Sequence, residues 1–182
     1  MILYRRSTFI IVAFAIYVCT FCFFFNIGSC DGGDYQFKID KTIDAFNGNA
    51  GIVQEKMTMF IHILENNVKS VILNYLGIIT FGIYPVLSIF KSAGIFGVIF
   101  GFSTMKNGVY YSLAHTLPHS IELIPIILSA ADGMYLGVNV GLNIVTAAKS
   151  KIDISSYSKR LCIYLLLIVL AAFLEVFVSM NL

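Results

Sequence analysis

The sequence predicts an all-α, polytopic transmembrane helical bundle with five spans and its N-terminus inside, on three observations. Hydrophobic residues make up 58% of the 182 and charged residues only 12%, with mean hydropathy +0.86, whereas soluble domains carry roughly 25% charge. A soluble chain of this size cannot bury so much apolar surface, so lipid is the natural solvent. Apolar runs of about 20 residues, enough to cross a hydrocarbon core, recur along the chain once Gly and Pro are tolerated within them. Twelve Lys and Arg against ten Asp and Glu leave a formal net charge of +2, which excludes a nucleic-acid footprint. Residues 1–182 read as a single membrane domain.

Span 1 covers 7–27 and is free of charge. Residues 28–67 form an outer segment: a Gly-, Asp- and Asn-rich loop with a short helix at Asp40–Phe46, then an amphipathic helix from Ile52 to Glu65 suited to the membrane surface. Spans 2 to 4 fall within 68–145, at about Val68–Phe90, Ser92–Ala114 and Ser120–Val145, and span 5 at 161–180. Positive charge resists translocation, which sets Arg5, Arg6, Lys91, Lys149, Lys151, Lys159 and Arg160 inside and the acid-rich outer segment outside. The implied location is the cell membrane, multi-pass. Arg5, Arg6 and the sequence Ile27-Gly28-Ser29-Cys30 also fit a cleaved signal with Cys30 lipidated, but the apolar run is longer than a signal core and favours an uncleaved span. Cys19 and Cys22 lie mid-span, and no disulfide framework is evident.

Ionisable groups inside a bilayer each need a partner or a purpose. His115, His119 and Glu122 follow the spacing i, i+4, i+7, one face of a continuous helix, although Pro118 predicts a turn ending at Leu117 and a new helix beyond it. Glu175, near the outer end of span 5, lies at a depth similar to Glu122. Three readings are open: a metal site with a free coordination position, a metal-free acid/base pair of His and Glu, and a hydrogen-bonded polar knot without chemistry. Lys106 and Asp132, on adjacent antiparallel spans, are expected to form a separate salt bridge. Ser129, Gly133, Gly137 and Gly141 form a small-residue ladder, matched by Gly94, Gly97 and Gly101; such faces serve close packing within the chain or in a homo-oligomer.

The blocks NNVKSVILNYLGIITFGIYPVL, GIFGVIFG, LPHSIELIPIILSAADGMYLG and AAFLEVFVS, from about Asn66 to Ser179, resemble in order those of the stage II sporulation protein M family of membrane proteins. That family pairs a proline-histidine step, an acidic residue and a second proline, here Pro118, His119, Glu122 and Pro125, with a late intramembrane glutamate, here Glu175. Its sporulation members imply an envelope-remodelling role, but they depart from this His and Glu pattern. Other relatives, which mature and export circular bacteriocins, imply a membrane component of peptide maturation or secretion acting on a hydrophobic peptide. In its chemical version zinc is held by His115, His119 and Glu122 or Glu175, and the remaining carboxylate is the catalytic base of a membrane peptidase. The alternatives are a non-enzymatic scaffold holding other membrane proteins, or a transporter subunit; lacking a G-x4-G-K-S/T motif, the latter requires a partner such as an ABC-type ATPase.

Overall fold

A computed structural model of the chain describes residues 5–30, 52–146 and 153–177. The expected helix at Asp40–Phe46, Lys149, Lys151 and the end of span 5 lie outside the described residues. Five helices carry the architecture: α1 (Arg6–Cys30), α2 (Ile52–Asn74), α3 (Ile83–Asn107), α4 (Val109–Thr146) and α5 (Ile154–Phe177), with a 3-10 turn at Tyr75–Ile78 between α2 and α3. Among the described residues there is no strand. Four segments, Arg6–Ser29, Ile83–Asn107, Ser120–Thr146 and Ser155–Phe177, are long and apolar enough to cross a membrane.

The run expected as span 2, Val68–Phe90, is divided between the end of α2 and the start of α3. Hydropathy stays high across the division, but Gly77 and Gly82 let the backbone turn. Gly82 (φ 87°) caps α3 in the left-handed region, and Phe81 is held there too (φ 51°), which only Gly adopts without strain. The turn closes its own hydrogen bonds, with Gly82 N–H donating to Gly77 C=O at 2.8 Å and Thr80 N–H to Leu76 C=O at 3.0 Å, as an apolar setting requires. Consequently Lys91 is within α3 rather than in an inner loop, and the charge census at that end rests on Arg5, Arg6, Lys159 and Arg160.

α4 is the axis of the bundle and touches every other element. Its 38 residues extend about 57 Å at 1.5 Å per residue. The break expected at Pro118 is absent: the helix runs unbroken from Val109 to Thr146. One lost N–H is tolerated in an apolar helix where neighbouring groups re-satisfy the backbone, and the chain instead turns ten residues earlier at Gly108 (φ 86°).

The glycine faces are used within the chain. A Cβ at Gly133 or Gly137 would collide with the carbonyl oxygen of Asn74 or Gly77, so the turn lies directly on α4. α1 runs parallel to α3 and packs on it through Gly28, Gly97 and Gly101, where added Cβ atoms would strike partner backbone. Phe21 packs at a tilt against Phe96 and Phe100 (centroids 5.6 and 5.8 Å) and Phe24 edge-on against Phe90 (5.6 Å). α1 is thus an integral part of the bundle. Two buried clusters complete the core: Ala13, Ile89, Ala130, Ala131 and Met134 join α1, α3 and α4, while Val71, Ile126, Tyr164 and Ile168 join α2, α4 and α5.

Candidate functional site

Two polar layers cross the apolar bundle. The first is centred on Asp132, whose side chain is fully buried on α4. Its expected partner was Lys106, but Lys106 is exposed at the far end of α3, and the carboxylate is instead bound by both ends of the chain. Arg6 Nε donates to Oδ1 at 2.5 Å and Arg160 Nε to Oδ2 at 2.9 Å. The Tyr164 hydroxyl donates to Oδ2 at 2.9 Å and accepts from Arg6 Nη2 at 2.8 Å. Arg160 also lies over the Tyr157 ring, 4.2 Å from its centroid. Arginine suits this role because its planar fork offers several fixed donors and stays charged when part-buried. Composition carried a cue: an intramembrane Asp demands cations, and Arg6 opens its helix while Arg160 stands within two turns of the start of α5.

The second layer holds Glu122 and Glu175, both 5% exposed. α4 and α5 are antiparallel, as the Asp132–Tyr164 bond and the stacked Tyr135 and Tyr157 rings show. Ten residues separate Glu122 from Asp132 and eleven separate Tyr164 from Glu175, or about 15 and 16 Å of rise. The two glutamates therefore share one level, as their expected depths implied. α2 reaches both layers: Asn67 Nδ2 donates to Glu122 Oε2, and, between the layers and nearer Asp132, Asn74 Nδ2 donates to Ser129 Oγ at 2.8 Å and to Ile126 C=O at 3.2 Å. These asparagines had no sequence signal beyond being polar residues flanking an apolar run.

Because α4 is unbroken, backbone positions 115, 119 and 122 fall on one helical face. The side chains of His115 and His119 lie outside the described ones, and the described residues hold no group of three or more His, Cys, Asp or Glu able to bind a metal. Glu122 also lines a cleft of about 570 Å3 between α2, α3 and α4, whose walls include Asn67, Lys69, Ser88, Lys91 and Thr116.

Outside the spans, hydrogen bonding and charge from Lys69, whose Nζ lies 2.6 Å away, hold the Glu65 carboxyl below the usual carboxylate range. At the start of α5, the Ser156 hydroxyl and N–H donate to Asp153 and lower its pKa likewise; Asp153 is the N-cap of that helix.

Residues 8–180 match the family described as Stage II sporulation protein M. An uncharacterized protein of Methanocaldococcus jannaschii is 31% identical over 125 residues, covering 66% of this chain and 70% of that protein. No solved structure matches. A membrane protein built of apolar helices, matched over nearly its whole length, this chain belongs to the stage II sporulation protein M family.

Proposed function

We propose that this chain is a multi-pass protein of the cell membrane, N-terminus inside, that serves the maturation or secretion of a hydrophobic peptide, with Glu122 and Glu175 as its working groups. The observation that carries this reading is the pairing of two buried carboxylates at one level of α4 and α5. An ionisable group in an apolar bundle is costly and marks function by default. The cleft beside Glu122, with amide and hydroxyl groups on its walls, can satisfy a peptide backbone that lipid leaves unpaired. In the chemical version, His115, His119 and one of the glutamates would hold zinc, which would supply Lewis-acid chemistry, and the other glutamate would serve as the base for peptide cleavage. The unbroken helix supports that version by setting positions 115, 119 and 122 on one face.

Substituting Glu122→Gln or Glu175→Gln, with membrane insertion verified, is expected to abolish peptide processing in cells; normal processing by both variants would refute the reading. Metal content of the detergent-purified protein, wild type beside His119→Ala, tests the chemical version: near-stoichiometric zinc lost in the variant is expected, and a zinc-free folded wild type would leave a non-enzymatic scaffold.

A further inference from the structure

Tyr84, Ser88, Lys91 and Ser92 stand on α3 at i, i+4, i+7 and i+8, one helical face, and all four line the cleft. α3 is a membrane-crossing segment and Lys91 lies eight residues inside its start, about 12 Å. Among the described residues Lys91 forms no ion pair, and the Ser88 and Ser92 hydroxyls and the Tyr84 hydroxyl find no side-chain or backbone partner. The facing wall is different. On α2, Lys69 pairs with Glu65, Ser70 donates to the Asn66 carbonyl and Asn67 donates to Glu122. The vacant hydrogen-bonding capacity therefore belongs to α3 and consists of one cation and three hydroxyls. A cation with clustered O–H donors selects an oxygen-rich anion. Further along the same face come Ile95 and Ile99, both cleft-lining and exposed. α2 and α3 diverge from their shared turn and pack mainly on other helices, so the cleft opens sideways between them.

We propose that this cleft binds an anionic phospholipid, its phosphate on Lys91, Ser88 and Ser92 and an acyl chain along Ile95 and Ile99. The polarity gradient fits a lipid of the leaflet nearest the Asn74–Gly82 turn, head toward the turn and tail toward the bilayer centre. Charge complementarity sets the preference for an anionic over a zwitterionic headgroup. The lipid uses the α3 wall of the cleft rather than the α4 wall that carries Glu122, and lipid retention is read without reference to peptide processing, so the two readings fail separately.

The test is native mass spectrometry of the full chain in mild detergent, titrated separately with palmitoyl-oleoyl phosphatidylglycerol, the matching phosphatidylcholine and inorganic phosphate. One phosphatidylglycerol per chain should be retained in preference to phosphatidylcholine. Lys91→Met should lower that preference about fivefold, as expected of one lysine at an anionic headgroup, while Lys91→Arg should keep it and Lys159→Met, at the bundle end, should not change it. Equal retention of the two lipids by wild type, or an unchanged preference in Lys91→Met, would overturn the proposal. Displacement of the lipid by millimolar inorganic phosphate would likewise overturn it in favour of a simple anion site.

Discussion

Replacing Asp132 by Asn keeps the shape of the buried centre and removes its charge. Three side chains donate to the carboxylate, two of them arginines whose Nε atoms lie at 2.5 and 2.9 Å. An amide offers one acceptor oxygen and turns an N–H toward a donor, so at least one charge-assisted bond is lost, worth about 1.5–3 kcal/mol. Breaking a fully buried pair costs about 3–5 kcal/mol because a charge is stranded. Here the arginine side chains are 34% and 25% exposed and can turn toward water, which discounts the figure. We expect Asp132→Asn to destabilise the bundle by about 2–3 kcal/mol, read as a fall of several degrees in the temperature at which the monomer peak disappears on size-exclusion chromatography in detergent. Arg6→Gln in the Asp132→Asn background should then cost less than Arg6→Gln alone, a coupling of about 0.5–3 kcal/mol for neighbours in one network. A variant within about 0.5 kcal/mol of wild type, or strict additivity in the double mutant, would refute the network as a stabilising unit.

Other outcomes are equally specific. Gly137→Ala forces a Cβ against the Gly77 carbonyl and Phe81 and should cost about 3 kcal/mol or more, at the upper end of overpacking; Gly108→Ala meets nothing within 4 Å and should cost only its backbone strain, about 1–3 kcal/mol. The same melting assay ranks the two. Gly101→Leu should release α1 from α3, since its Cβ space is filled by Phe25 and Ser29, and protease access to α1 in proteoliposomes would report it. The Asp153 carboxyl is held low by Ser156; its contribution is therefore present above the unfolded carboxyl pKa and lost as pH falls through the depressed value. Asp153→Ala should flatten that acid-side loss in a melting profile taken across about pH 2–5, around and below the ordinary aspartate value, and an unchanged slope would contradict the capping role.

The membrane-helical class was legible because hydropathy is a bulk property: α1 follows from an uncharged run and the membrane part of α5 from one interrupted only by Glu175, whereas the long α4 was read as the end of one span and the whole of the next. Position 77 to 82 was not, because Gly and Pro are tolerated in apolar helices; only the contact of Gly77 with Gly133 and Gly137 decides that the chain turns there. Pro118 erred in the other direction, since a single missing N–H counts for less in an apolar helix than in water. Lys106 and Asp132 were paired on their level along adjacent spans, whereas the chain satisfies Asp132 from helix ends, using the reach of arginine. Glu122 and Glu175 were found by rarity alone, and their shared level follows from antiparallel register.

The partners of Asp132 also fix an order of events during synthesis. Arg6 precedes Asp132 on the ribosome, while Arg160 and Tyr164 follow it, so α4 enters the bilayer with only half of its neutralising charge available. Insertion of an Asp near a helix centre costs about 2.5–3.5 kcal/mol, and Arg6, waiting on an already placed α1, lowers that cost before α5 exists. A nascent chain stopped before Ile154 should accordingly hold α4 less firmly than the complete one, and lose it altogether when Arg6 is replaced by Gln; the first and fifth helices act as the two halves of a clasp that shuts only when translation has passed residue 164.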